Sequence, residues 1–335
     1  MIEVSLISVG VAKSLFKKSA LGLFQEPFWW EIVEQGFSKN CKVALVSDRG
    51  QNKVLLPLFF HRIGPVLRVG SPLRGTFTPY VGFIHLMDKI DITIEKDYLN
   101  CVIGFLLKKG VHWIEITFTS ERDFSNHYMD TLAFKKEKPK TIVLNTNQGK
   151  EDLWLNMQGR ARNLVRKAEK FGLTVNILDS NVQHIKSFYS MLEKTYKKSG
   201  QRPPHSIGFY TLMVNNAISS NNLLFLSIHK DLETVSMGMF LYNSFEMHFI
   251  SGTSSQNGNK YGANNLMHWE VIKFACNHGI KRYDFGGMGI PAIDKFKKSF
   301  GGVEDCYNRY TWMTPSVRFL FKIYMRIRSK FGYIV

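Results

Sequence analysis

Three segments carry residues whose types and spacing suit group transfer. Tyr283–Gly302 reads YDFGGMGIPAIDKFKKSFGG. A short strand ends in Asp284 and the Gly286-Gly287 pair, and a basic helix then closes on Gly301-Gly302. Lys295, Lys297 and Lys298 cannot all share one helical face, so one or two are placed to point into a site. A lysine there could stabilise an oxyanion as charge develops on a carbonyl. The plain alternative is three solvated lysines.

The second segment, Ser251–Asn265, reads SGTSSQNGNKYGANN between an expected strand and an expected helix. Gly258, Gly262 and Ala263 let the backbone turn tightly, and the helix start offers N–H groups to a phosphate or an acyl carbonyl. The spacing fits neither a P-loop nor a dinucleotide fingerprint, and a plain connecting loop is the alternative. The third is the helix Gly159–Lys170, where Arg162, Arg166 and Lys170 recur every four residues. Such a stripe either grips phosphates or is a solvated face. No GxSxG, HExxH or CxxC spacing occurs, which argues against a hydrolase and against a metal centre.

Those residues sit in a chain of 335 residues and 38.6 kDa, long enough for about two domains. Hydrophobic residues make up 44% and aromatics 13%, which excludes a disordered, collagenous or disulfide-dense class. Lys plus Arg is 44 against 27 Asp plus Glu, so the formal charge is +17 and an anionic partner is favoured. Cys41, Cys101, Cys276 and Cys306 read as reduced thiols of a cytoplasmic protein. Residues 1–12 are apolar but carry Glu3 and lack a cleavage site, so no signal peptide is expected, nor any membrane span.

The elements that must position the site follow from periodicity. Lys42–His61 reads as a hairpin turning at Asp48–Gly50, and residues 64–82 as a Gly- and Pro-rich loop region. A helix is expected over 92–108 and a strand over 111–118. Lys135–Lys140 is a charged connector, placing a domain boundary near 140. Beyond it come a strand (141–145), one long helix (151–170), a strand (174–178) and a helix (182–199). Three antiparallel strands (223–229, 234–242, 245–251), the Gly/Asn loop 254–265, a helix (266–278) and a strand ending at Asp284 complete the pattern. The division is 1–140, 141–314 and a C-terminal helix 315–335, with no 20–50-residue repeat in the sequence. In that last helix Phe319, Leu320, Ile323, Tyr324, Ile327 and Phe331 share one face, with Arg318, Lys322, Arg326, Arg328 and Lys330 beside it. It is expected either to dock on its own domain or to lie on an anionic membrane.

Several strings, in order, resemble FemAB-like proteins: LFQEPFWW, GTFTPYVG, RARNLVRKAEKFGLTV, GTSSQNGNKYGANNLMHWEVIKFACNHGIKRYDFGG and IDKFKKSFGG. The resemblance runs from about Leu23 to Gly302. It implies an α+β fold of two tandem GNAT-like domains, each a mostly antiparallel mixed sheet flanked by helices. It also implies transfer of an acyl or aminoacyl group to an amine without a metal, the co-substrate being an acyl-CoA, an acyl carrier or an aminoacyl-tRNA. Carried over residue by residue, Phe296 and Lys297 form the pair contacting the carbonyl under attack, and Asp284 lies on the strand end beside them. Tyr80 lines the acceptor cleft, Tyr261 and Asn264 lie over the donor, and Arg162 and Arg166 are the phosphate contacts if the donor is tRNA. The chain lacks the long charged helical hairpin of some tRNA-dependent members.

The expected activity is N-acylation of an amine on a cell-envelope or exopolysaccharide component, with no tightly bound cofactor. Alternatives are an aminoacyl-tRNA-dependent peptidoglycan bridge enzyme and a non-catalytic scaffold of a polysaccharide assembly system. The expected location is the cytoplasm, peripheral to the inner face of the plasma membrane.

Overall fold

A computed structural model describes residues 1–15, 21–87 and 90–330. The chain begins with β1 (Ile2–Ile7), α1 (Val9–Leu15), α2 (Pro27–Gly36), β2 (Asn40–Asp48) and β3 (Gln51–Ile63). It continues through β4 (Val66–Ser71), β5 (Ile84–His85), α3 (Ile92–Lys108), β6 (Trp113–Thr119), α4 (His127–Thr131) and β7 (Lys135–Glu137). Then come β8 (Lys140–Asn145), α5 (Lys150–Asn156), α6 (Gly159–Lys170), β9 (Leu173–Ile177), α7 (Val182–Lys197) and α8 (Ile207–Ser219). The strands β10 (Leu223–Lys230), β11 (Glu233–Tyr242) and β12 (Glu246–Ser254) lead to α9 (Gln256–Tyr261) and α10 (Ala263–Asn277). The last elements are β13 (Arg282–Gly287), α11 (Pro291–Lys298), β14 (Val303–Met313) and α12 (Pro315–Lys330).

These form two compact units. The first comprises residues 1–19, 38–139 and 306–335, and the second residues 20–37 and 140–305. The structure therefore differs from a linear division at 140 in two places. Residues 20–37 join the second unit because Trp29 and Trp30 are fully buried there and the Leu23 amide donates to Glu246 (2.6 Å). The chain from Cys306 onward returns to the first unit because β14 pairs with β6 from Tyr307↔Thr119 to Met313↔Trp113.

Sheet order in the first unit is β1-β2-β3-β4-β6-β14, with β5 on β3 and β7 on β14. In the second it is β8-β13-β12-β11-β10-β9. Each sheet is antiparallel but for one pair, β4–β6 and β12–β13 respectively, and in each the crossover between those strands includes a long helix, α3 or α10. The core of the first unit packs Val102, Ile103 and Leu106 of α3 against Val46, Leu56 and Ile116. That of the second packs Leu266, Val271 and Ile272 of α10 against Leu226, Phe240 and Tyr283. The structure is thus the mixed α/β tandem architecture the sequence implied.

Four local expectations change. The single helix expected over 151–170 is two helices, broken at Met157–Gln158, where Met157 is extended (φ −63°, ψ 143°) and the Gln158 amide donates to Ser299 O (2.9 Å). The loop expected at 254–265 is helical, α9 joining α10 through Gly262 at φ +84°. The loop region 64–82 contains β4, and α8 arises in a stretch that offered no pattern. In α12, Phe331 lies outside the described residues, as do the side chains of Arg328 and Lys330.

Candidate active site

The second unit holds a break in its own sheet. Parallel pairing of β12 with β13 covers Glu246↔Arg282, Met247↔Tyr283 and His248↔Asp284 and then stops. β12 runs on to Ser254 paired with β11 alone, so from Phe249 its other edge faces no strand among the described residues. Ile250 is an extra residue in the ladder, between Phe240↔Phe249 and Met239↔Ser251. The bulge sends Phe249 toward the His268 ring (5.2 Å between centroids) and Ser251 toward the Tyr210 hydroxyl (3.4 Å). Burial pushes that Tyr210 hydroxyl up to about 12, so it stays protonated as a donor.

At the closed end of the break lies a buried polar network. Asp284 is 1% exposed; one oxygen accepts from Thr141 Oγ1 (2.5 Å) and the Gly286 amide (2.7 Å), and the other from Arg282 (3.3 Å). Arg282 also reaches Asp305 (3.1 Å), and His248 Nε2 pairs with Glu246 (2.9 Å). The register explains the cluster. Glu246 faces Arg282 and His248 faces Asp284, so four ionisable groups share one face where neutral strands would place apolar ones. Asp284 thus also braces the irregular end of its own strand, between Asp284 and Gly287.

That strand end is gripped by Lys297. Its ammonium donates to Gly286 O (2.8 Å) and Gly287 O (2.5 Å), and burial lowers its pKa while Asp294 and Asp284 oppose the shift. Lys297 is 7% exposed, whereas Lys295 is exposed and Lys298 pairs with Glu304. The structure therefore selects Lys297 as the inward lysine. Gly286 has φ +82°, a conformation glycine adopts without strain. Phe296 packs edge-on to His268 (5.3 Å) and Phe300 (5.2 Å).

His268 joins Lys297 to the aromatic cluster. It is 4% exposed, and its Nδ1 pairs with the Tyr283 hydroxyl (2.7 Å). Burial, then the Lys297 charge, lower its pKa to about 3, so the ring is neutral at physiological pH. Burial also holds the Tyr283 phenol well above its usual range.

The α9–α10 corner is built by close approach. A Cβ on Gly262 would lie 2.6 Å from Leu164 O of α6, and one on Gly258 would collide with Val235 O of β11. Asn264 accepts from Ser236 Oγ (2.9 Å), and the Tyr261 ring meets Phe171 (5.0 Å). The two arginines of α6 part company. Arg162 donates to Trp154 O (3.3 Å) and Leu155 O (2.6 Å) at the end of α5, whereas exposed Arg166 stacks over the Trp154 ring (5.4 Å). Arg166, Lys167, Lys170, Asn163 and Phe171 line an open cleft of 490 Å³. Tyr80 belongs to the first unit, 4% exposed and stacked on Tyr307 (5.6 Å). Among the described residues no group of three His, Cys, Asp or Glu side chains could hold a metal.

Sequence reasoning missed Glu246, His248, Arg282, Tyr283, Asp305 and His268. The legible signal was ionisable residues at alternate positions, Glu246/His248 and Arg282/Asp284, inside otherwise apolar strands.

Residues 156–298 match the family described as an acetyltransferase (GNAT) domain. The crystal structure of FemX superimposes with a TM-score of 0.75 at 15% identity, covering 95% of this chain and 99% of that one. A tandem GNAT protein from the clavulanic acid biosynthesis pathway gives 0.56 at 8% identity, covering 93% and 98%. These likenesses show the fold, that of a tandem GNAT protein. Aminoacyltransferase FemB of Staphylococcus epidermidis is 26% identical over 110 residues, 30% of this chain and 26% of its own. Aminoacyltransferase FemA of Staphylococcus aureus is 32% identical over 74 residues, 20% of this chain and 18% of its own. The matches thus span about a quarter or less of those relatives' lengths. Residues 156–298 thus match a GNAT acetyltransferase domain, and the chain is similar to the Fem aminoacyltransferases over part of its length.

Proposed function

We propose that the second unit transfers an acyl group from an activated donor to an amine. The observation that carries this reading is the free edge of β12 beside the Lys297-held end of β13. An extended donor carrying amides, such as the arm of a thioester, pairs with the backbone of Phe249–Ser254 as an added strand would. Lys297 has three N–H bonds and two go to Gly286 and Gly287, leaving one for the donor's carbonyl oxygen. The amine nitrogen attacks the carbonyl carbon, the bond to the donor's sulfur or oxygen breaks, and the amine's proton leaves through water to the departing group. Phe296 and His268 exclude water below Lys297. Asp284 fixes the end of β13 through the Gly286 amide.

The acceptor that fits the FemAB-like resemblance is an amine on an envelope saccharide or a peptidoglycan precursor. A second reading keeps the chemistry and takes aminoacyl-tRNA as donor. It is favoured by the cleft of Arg166, Lys167 and Lys170, where Phe171 offers a ring for a base, and by the aminoacyltransferase names of FemA and FemB. Arg162 takes no part, being held on α5.

Calorimetric titration with coenzyme A and acetyl-coenzyme A tests the first donor. One-to-one saturable binding supports a thioester. No binding, with tighter binding of charged than uncharged tRNA and a steep salt dependence, moves the donor to tRNA. Absence of transfer from every donor overturns the enzymatic reading.

A further inference from the structure

The helix α12 already uses one face for docking and presents a second, larger apolar face outward. Val317 is 7% exposed and packs with Trp113, Met313, Val66 and Phe321, the Phe321 ring standing edge-on to Trp113 (5.1 Å). At about 3.6 residues per turn, Val317 and Phe321 define one stripe. Beginning beside that stripe at Tyr324 (54% exposed) and running round the helix through Leu320 (60%), Ile327 (52%) and Ile323 (39%) to Phe319 (64%) is a continuous exposed apolar face. The helix does dock on its own domain, through Val317 and Phe321, while the residues of this face stay exposed.

Charge accompanies that face. Residues 315–330 contain five basic residues and no acid. Arg318, Lys322 and Arg326, four apart, fall on the arc between the docked stripe and the apolar face. On the sheet beneath, Arg68 is paired with the buried Glu115. The Arg68 guanidinium lies over Trp113 (4.2 Å), and in the register His61 stands opposite Arg68. No helix among the described residues is long and apolar enough to cross a bilayer.

We propose that α12 is an interfacial helix that lies in the surface of an anionic phospholipid membrane. Its apolar face enters the acyl boundary, and Arg318, Lys322 and Arg326 meet lipid phosphates. An apolar face alone would suit a protein partner equally. A basic row along its flank, in a helix that carries no acid, matches a surface of uniformly negative charge. The inference stands independently of the transfer reaction, and it would hold the first unit at the leaflet.

The test is flotation of the full chain with vesicles of phosphatidylcholine alone or with about 30% phosphatidylglycerol. Binding is expected only to the anionic vesicles, and is lost at about 1 M salt. Ile323→Asp with Ile327→Asp should abolish it. Lys322→Gln with Arg326→Gln should weaken it at least about tenfold. All four positions are exposed, and circular dichroism checks that each variant remains folded. Absence of binding at low salt, equal binding to neutral vesicles, or binding untouched by both variant pairs overturns the proposal. So does a concentration-dependent dimer that the Ile variants disperse in a chain that binds no vesicle, since a second copy would then be the occupant.

Discussion

The two units repeat one scheme and end it differently. In the first, the meander β2-β3-β4 leads through α3 to β6, parallel to β4. In the second, β10-β11-β12 leads through α10 to β13, parallel to β12. In the first unit the parallel pairing covers Arg68↔Trp113 to Ser71↔Ile116, where β4 itself ends. The chain then folds back, so that a Cβ on Gly70 would lie 2.7 Å from the Leu73 amide. In the second unit pairing stops at His248 and β12 continues to Ser254. Both units bury charge at this point: Glu115 with Arg68 and Arg74 in the first, and Asp284 with Arg282 in the second. Among the described residues, only the second leaves a strand edge beside its buried charges. A duplicated scaffold thus separates what holds a fold together from what opens a site, because buried ion pairs occur in both and the unpaired edge in one.

Substitution at the two buried acids should break the comparison most sharply. Asp284→Asn and Glu115→Gln each remove the buried charge that partly exposed arginines pair with, and each should cost up to about 3 kcal/mol in urea unfolding. Only Asp284→Asn should also abolish transfer, because its partner Gly286 lies at the open edge. Equal loss of activity in both variants would erase the distinction between the units.

Next in size is Lys297→Ala. If its third N–H bond steadies the oxyanion, kcat should fall about 10²-fold. Arg74→Ala, at the other unit's buried acid, should leave kcat unchanged. Unaltered turnover in Lys297→Ala would reduce Lys297 to a clamp on Gly286 and Gly287.

Gly262→Ala should cost about 1–3 kcal/mol, since it adds a Cβ against Leu164 O at φ +84°. Gly50→Ala, at φ +74° in the first unit with nothing near, should cost less. Thermal melts of the two variants read the difference as close approach alone.

The smallest effect per step is a pH slope. His268 titrates at about 3 when folded and about 6.5 when unfolded. The unfolded chain therefore binds the extra proton between those values. The contribution is complete above the unfolded value and is lost as pH falls toward the folded one, by up to about 1.4 kcal/mol per pH unit. Urea midpoints from pH 7 to pH 4 should fall for the wild type. In His268→Leu this component of the slope should vanish, and an unchanged slope would place the titrating group elsewhere.

Much of this was legible in the chain. The hairpin of β2 and β3, the helix α3 and the strands β10 to β12 follow from hydrophobic period, which burial on one face enforces locally. Lys297 stood out because three near-adjacent lysines cannot share a face, although which one turned inward required the fold. The break between α5 and α6 was hidden, because the apolar spacing continues through Met157 and the competing bond comes from distant Ser299. The helix α9 was hidden for the opposite reason: a Gly/Asn-rich string looks like a loop, and here β11 and α6 admit only glycines at two of its turns.

By itself the sequence determined most of the element types, the basic character, the amphipathic end and the family resemblance, since all are properties of neighbours along the chain. Tertiary structure alone decided that residues 20–37 belong with the second unit and that the two sheets share one plan. It also aligned Glu246 with Arg282 and His248 with Asp284, and turned the wider face of α12 outward. The physical reason is common to these: strand register and the choice of docked face are settled by partners far away in sequence, whose contacts leave no periodic trace in the segment itself.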